Sequence, residues 1–231
     1  MNTSIGNIQA MSSDSFKHNL FSQFARIGKA LGNANRLELL ELLAQGERSV
    51  ETLAKASGLS VANTSQHLQL LRQNGLVTAR KEGQSVYYRL SGDDVIQLLT
   101  MMRAVAEKNI AEVDQLVSAF LTVRDSLEPI PATELLERAH RGLVTVLDVR
   151  PSEEYDAGHI MGAVNVPLSE LEKNLSRFSP DQEIVAYCRG PHCILAYEAV
   201  AKLRERGMKA RRLTDGFPEW KLAGLPVEQT K

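Results

Sequence analysis

The residues best suited to chemistry lie in one stretch, Val185-Ala186-Tyr187-Cys188-Arg189-Gly190-Pro191-His192-Cys193-Ile194-Leu195-Ala196. Ile184 to Tyr187 is an apolar run with strand character, and it ends on Cys188. Gly190 and Pro191 mark a short loop. Ile194, Leu195, Tyr197, Ala199, Val200 and Leu203 then recur at helical spacing. The pattern predicts a strand, a tight loop and a helix start. Such a loop turns backbone N–H groups inward, and a helix N-terminus adds partial positive charge, so an anion is stabilised there. The natural anion is the Cys188 thiolate, a nucleophile once its pKa is lowered. Both cysteines of the chain, Cys188 and Cys193, fall in this loop.

The elements that must position the loop have to be found in 231 residues, 43% hydrophobic and 24% charged, with net charge −1. That length accommodates two modest domains. The charge balance excludes a global basic footprint, so any nucleic-acid surface must be local. Two cysteines do not make a disulfide-scaffolded secreted domain. The polar start of the chain lacks a signal-peptide pattern, and no apolar run reaches membrane-spanning length. The expectation is a cytoplasmic protein with no membrane partner.

The first half reads as helices. Leu20, Phe21, Phe24, Ile27 and Leu31 fit one helix face closed by Gly32, and a second helix carries Leu37 to Leu43. Ser49 is placed to cap a third, which stops at Gly58. Thr133 is placed to cap a later one. Gly58-Leu59-Ser60 makes a tight turn into a further helix that buries Val61, Leu68, Leu70 and Leu71 in part. Its remaining side chains are small or polar. This is the helix-turn-helix layout, whose second helix reads base edges in the major groove. Residues 75–80 and 85–90 read as two strands joined at Lys81-Glu82-Gly83-Gln84, a hairpin. Between Ser60 and Arg89 only Glu82 opposes Arg72, Arg80, Lys81 and Arg89, a local positive charge suited to phosphates. The candidate DNA-binding residues are Ser60, Asn63, Thr64, Ser65, Gln66, His67, Gln69, Arg72, Arg80, Lys81, Gln84 and Tyr87. From Asp93 a long helix carries Val95, Leu98, Leu99, Met102, Val105 and further apolar residues to about 124, a seam like that of a coiled coil. Glu128-Pro129-Ile130-Pro131 ends it.

Asn35-Arg36-Leu37-Glu38-Leu39-Leu40, Leu53-Ala54, Thr64-Ser65-Gln66-His67-Leu68, Leu71-Arg72-Gln73-Asn74-Gly75-Leu76-Val77 and the hairpin together resemble the ArsR family of winged-helix repressors. The resemblance covers about residues 16–125. It implies a homodimer, formed through the N-terminal and 93–124 helices, that reads a palindromic operator on double-stranded DNA, with reading heads about 34 Å apart. Many such repressors sense metals through cysteine pairs or histidine and carboxylate clusters. No cysteine precedes Cys188, and Glu112 and Asp114 have no histidine beside them, so no metal site or cofactor is expected.

The second half alternates strands and helices. Leu143 to Val149 is a run fit for a buried parallel strand. Arg150-Pro151-Ser152-Glu153-Glu154-Tyr155, Gly158-His159-Ile160 through Pro167, Tyr187-Cys188-Arg189-Gly190 and Gly216-Phe217-Pro218-Glu219-Trp220 together resemble the rhodanese sulfurtransferase domain. The expected architecture is therefore two domains. An N-terminal, mainly α winged helix-turn-helix with a β-hairpin wing and a long dimerisation helix spans 13–127. A linker spans 128–131, and a C-terminal α/β rhodanese-like domain with a parallel sheet spans 132–228. The resemblance implies that Cys188 takes a sulfane sulfur as a persulfide. The loop residues Arg189, Gly190, Pro191 and His192 would cradle it, in the short loop form associated with sulfur transfer. Two departures stand out. Cys193 occupies a position where many rhodaneses carry a polar residue, and Pro191 removes one N–H donor.

Several readings stay open on sequence alone. Cys193 is either a resolving thiol or a small apolar side chain at a helix start. His192 either tunes the thiolate or is solvated. Asp148, Arg150 and Glu154 read as an ion-pair cluster that organises the domain, and His159 as a structural hydrogen bond. The chain as a whole reads as a repressor sensing reactive sulfur (polysulfide, persulfide or thiosulfate) through Cys188 and Cys193. The alternatives are a working sulfurtransferase with a DNA-binding module, and an arsenite-responsive repressor using the two thiols.

Overall fold

The structure is a computed structural model that describes residues 12–119, 129–179 and 181–230. It divides into two compact units. The first runs to Leu40 and resumes over Arg48–Ser91; the second takes Glu41–Glu47 and everything from Gly92 onward.

The first unit opens with α1 (Ser13–Leu31), where Ser12 caps the helix by accepting from Ser15 N. α2 (Ala34–Ala44) begins in this unit and ends in the second. β1 (Arg48–Ser49) leads into α3 (Val50–Ser57), capped by the Ser49 hydroxyl and closed by Gly58 at φ 69°. That left-handed backbone is open to glycine at no steric cost, and it sharpens the turn into α4 (Val61–Gln73). Ser60 caps α4 through Asn63 N at 3.2 Å. β2 (Val77–Glu82) and β3 (Ser85–Leu90) form the expected hairpin, and the sheet order is β1-β3-β2.

The buried face of α4 differs from the expectation. It consists of Thr64, Leu68 and Leu71, whereas Val61 is 50% and Leu70 36% exposed. Positions 64, 68 and 71 follow one helical stripe; Leu70 falls off it, and Val61, in phase with Leu68, is exposed as the first residue of the helix. Thr64 is fully buried and its hydroxyl donates to Ser60 O at 3.0 Å. It is a core residue and not a base reader.

The second unit includes α5 (Asp93–Asn109) and α6 (Ala111–Val117). The single long helix expected from Asp93 is broken at Ile110, whose backbone is extended (φ −114°, ψ 103°). Asn109 donates its side-chain amide to Val105 O at 2.8 Å, a local bond that competes with helix continuation. The expected helix beyond 119, and Glu128 of the linker, lie outside the described residues. Ile130 falls within the stretch read as the linker. It is fully buried, and its N–H donates to Arg212 O at 2.9 Å.

α7 (Ala132–His140) starts directly after Pro131, so Thr133 lies inside the helix and does not cap it. There follow β4 (Val144–Asp148), α8 (Ser152–Ala157), β5 (His159–Ile160), β6 (Val164–Asn165) and a 3-10 helix over Leu168–Arg177. β7 (Glu183–Tyr187), α9 (Ile194–Glu205), β8 (Ala210–Arg212), α10 (Phe217–Leu222) and β9 (Val227–Glu228) complete the unit. β6-β4-β7-β8 is a parallel sheet buried on both faces. Alternation along β7 sends Ile184 and Ala186 into one core layer and Val185 and Tyr187 into the other. Cys188 continues the first set, and so it faces the layer where α9 packs.

Candidate functional site

Cys188 is 1% exposed, at the C-terminal end of β7. Cys193 is the N-cap of α9. The two sulfurs are joined in a disulfide, with 6.1 Å between the Cα atoms, a span that disulfides ordinarily bridge. The loop between them is tied at several points. Cys193 N donates to Gly190 O at 3.1 Å and Phe217 N to Cys188 O at 3.0 Å. The Tyr197 hydroxyl donates to Pro191 O at 3.3 Å. The N–H groups of Arg189, Gly190 and His192 donate no backbone hydrogen bond among the described residues. Pro191 has no N–H to give. The loop thus offers an anion at most three N–H groups, one of which, on Gly190, lies against Gly216.

Gly216 explains why the loop and the start of α10 sit so close. A Cβ at this position would collide with Gly190 N, Gly190 Cα and the Arg189 carbonyl carbon, all backbone. Its N–H donates to Glu219 Oε2 at 3.1 Å, which fixes α10 beneath the loop. Gly216→Ala is therefore expected to cost about 1–3 kcal/mol through overpacking. A fall in the urea midpoint with unchanged slope would register it.

Charge organises the floor of the site. Arg150 and Asp148 form a fully buried ion pair, with Nη2 at 2.5 Å and Nε at 3.0 Å from the carboxylate oxygens. Arg150 Nη2 also donates to Gly158 O at 2.8 Å, and Nη1 to Gln45 Oε1 at 3.0 Å. Its guanidinium lies over the rings of Phe217 and Tyr187 at 4.4 and 5.5 Å. Burial works against this charge, but the hydrogen bonds and field of Asp148 outweigh it, and the Arg150 pKa is raised. Burial, followed by the Asp148 charge, pushes the Tyr187 hydroxyl well above its ordinary value. Arg189 grips buried Glu154 with Nη2 at 2.6 Å and Nε at 3.0 and 3.1 Å. It anchors the loop. Burial, with Glu219 next, also raises the Asp215 carboxyl.

His192 Nε2 lies 3.5 Å from Glu107 Oε1. Burial lowers its pKa below the ordinary 6.5, Glu107 opposes that, and Arg103 and Arg212 reinforce it. At neutral pH the contact is thus to an uncharged imidazole. The unfolded chain protonates at the higher pKa. The stability held by neutral His192 is therefore present above about pH 6.5 and is lost as pH falls through the lower folded value. Melting temperatures between about pH 7.5 and 5.5 should fall less steeply in His192→Gln than in the parent.

In the first unit, Ser65, Gln69 and Arg72 of α4 line one groove with Val86 and Tyr88 of the wing. Gln66, Gln69 and Arg72 are exposed, and Asn63, Ser65 and His67 half-buried. On the wing, Arg80 stands opposite Tyr87 across the hairpin, its guanidinium 4.6 Å from the ring, and it pairs with Glu82. Lys81 and Gln84 are exposed.

Two family models match the chain: the arsR family of bacterial regulatory proteins over residues 33–79, and the rhodanese-like domain over 131–223. The HTH-type transcriptional regulator Rv0324 of Mycobacterium tuberculosis is 48% identical over 210 residues, 91% of this chain and 92% of that protein. The chain belongs to this family of ArsR-type regulators carrying a rhodanese-like domain. The Bacillus subtilis protein YqhL is 33% identical over 38% of this chain and 69% of its own. A solved homodimeric winged helix-turn-helix DNA-binding domain from Mycobacterium bovis is 48% identical, covering 44% of this chain and 93% of its own with a TM-score of 0.40.

In this regulator the structure brings together Cys188, Arg189, Gly190, Pro191, His192 and Cys193 as one loop, and Asp148 with Arg150 as its floor. His159 makes the structural bond expected of it, Nδ1 lying 2.8 Å from Tyr155 O. Two further residues hold the site: Gln45, which is 2% exposed, and Arg103, whose Nη1 lies 3.0 Å from Glu219 Oε1. Neither carries a local signal, because each acts on residues more than a hundred positions away. Among the described residues no helix is long and apolar enough to cross a membrane.

Proposed function

We propose that this transcriptional regulator is a homodimeric repressor of a palindromic operator, and that it senses reactive sulfur through Cys188 and Cys193. The observation that carries the reading is that the chain's two cysteines close on each other inside the rhodanese-like loop. In the reduced protein the Cys188 thiolate attacks a sulfane sulfur of polysulfide, a persulfide or thiosulfate. A Cys188 persulfide forms, and the donor leaves as a shortened polysulfide, a thiolate or sulfite. The Cys193 thiolate then attacks Cys188 Sγ, a disulfide closes and hydrosulfide departs. The two thiols lose two electrons and the sulfane sulfur gains them. A thiol pool such as that of the cytosol restores the dithiol.

On the DNA side, Asn63, Ser65, Gln66, His67 and Gln69 read base edges, while Arg72, Arg80 and Lys81 meet phosphates beside Gln84 and Tyr87. Ser60 acts by capping the reading helix. Dimerisation is supported by large apolar side chains left exposed, Phe16, Phe21 and Phe24 on α1 and Met101 and Val105 on α5. Closing the disulfide lowers operator affinity.

The experiment pairs a turnover assay with operator release. The sensor reading expects one sulfur accepted per chain, no sustained thiocyanate production from thiosulfate and cyanide, and release from DNA by polysulfide. Steady turnover with DNA affinity unmoved would make the protein a sulfurtransferase. Release by arsenite alone would make it a metalloid-responsive repressor.

A further inference from the structure

Besides its rhodanese-like residues, the reactive loop is held by two residues from outside the matched 131–223 segment, both of them in the second compact unit. Gln45 is 2% exposed and spends both ends of its amide there. Its Nε2 donates to the carbonyl of Arg189, the residue after Cys188, at 3.3 Å, and its Oε1 accepts from Arg150 at 3.0 Å. Arg103 of α5 donates to Glu219 Oε1 at 3.0 Å and lies 4.0 Å from Glu41. Glu219 holds Gly216 N with its other oxygen, and the next residue, Phe217, holds the Cys188 carbonyl. Gly190, inside the loop, faces Glu41 and Arg103 directly: a Cβ there would lie 3.7–3.8 Å from their side chains.

From this we infer that Gln45 and Arg103 are positioning residues for the Cys188–Cys193 pair, so that chain outside the rhodanese-like domain sets the pair's thiol–disulfide equilibrium. The inference rests on the loop being a reversible dithiol, as in the function proposed above. Gln45 lies in Glu41–Glu47, a segment of the second unit that is bounded on both sides in sequence by the winged-helix unit.

The test is the redox midpoint of the full-length protein in mixtures of reduced and oxidised glutathione, without DNA. Two glutathiones reduce the pair and leave as one glutathione disulfide, and alkylation with mass detection counts the thiols. Gln45→Met keeps the shape and removes the hydrogen bonds to Arg189 and Arg150; Arg103→Gln removes the charge that holds Glu219. Held less firmly, Cys193 attacks Cys188 with a lower effective concentration. Each variant should therefore shift the equilibrium toward the dithiol about fivefold. Midpoints within about twofold of the parent, or a shift toward the disulfide, would overturn the inference. Arg103 is one-quarter exposed, so Arg103→Gln decides the matter even if Gln45→Met does not fold. None of these outcomes depends on whether polysulfide moves operator affinity, so failure of the proposed function registers separately.

Discussion

Cys188→Ser is expected to bind operator like the reduced parent and to show no response to polysulfide. Serine replaces the nucleophile with a hydroxyl that is not ionised at neutral pH, so no sulfane sulfur is accepted and no disulfide closes. Cys193→Ser separates the two steps. It should load one sulfur on Cys188 and stop there, because no second thiol remains to expel hydrosulfide. Intact mass should show a gain of one sulfur in Cys193→Ser, a loss of two hydrogens in the parent and no change in Cys188→Ser. A Cys188→Ser protein that still releases DNA in polysulfide would remove the loop from the mechanism. One that binds DNA poorly in every condition would show that Cys188 serves the fold, consistent with its place in the apolar layer with Leu147, Ala186 and Val200.

The largest stability effect is expected at Arg150. Its ion pair with Asp148 is wholly enclosed, and deleting one partner leaves the other charge buried without compensation. Arg150→Met should cost about 3–5 kcal/mol, read from the urea midpoint at unchanged slope. The double variant Asp148→Leu/Arg150→Met should recover much of that loss, since a pair of well-packed apolar residues avoids the desolvation cost. A single variant within about 1 kcal/mol of the parent would mean that water reaches the pair. The same cation stacks on Phe217 and holds Gln45, so its loss should also loosen the loop.

How legible these features were in sequence depended on the distance over which each was determined. The strand, loop and helix around Cys188 follow from local periodicity. The alternation along β7 then forces Cys188 onto the α9 side. The caps at Ser49 and Ser60 and the glycine turn at Gly58 are equally local, and the structure has them where the residue types place them. Errors arose where a neighbour in space decided the outcome. Thr64 looked like a polar reader because its type is polar, yet the helical stripe shared with Leu68 and Leu71 buries it. Ile110 is apolar and continued the seam on paper, but the Asn109 amide satisfies Val105 O and the backbone leaves the helix. Gln45 was invisible for a different reason. Its partners in the site lie 105 and 144 residues further along, and a glutamine at the end of a leucine-rich helix advertises nothing. Gly216 stood within a recognised motif, but its role rests on the backbone of Gly190 pressing against it.

The central claim is that sulfur chemistry at Cys188 is read out on DNA. The most direct measurement is operator affinity of the reduced full-length protein before and after polysulfide, with intact mass recorded on the same samples. The account predicts a fall in affinity in step with closure of the Cys188–Cys193 bond, reversed by a thiol reductant. Sulfur loaded or the disulfide closed on every chain, with operator affinity unchanged, would contradict it.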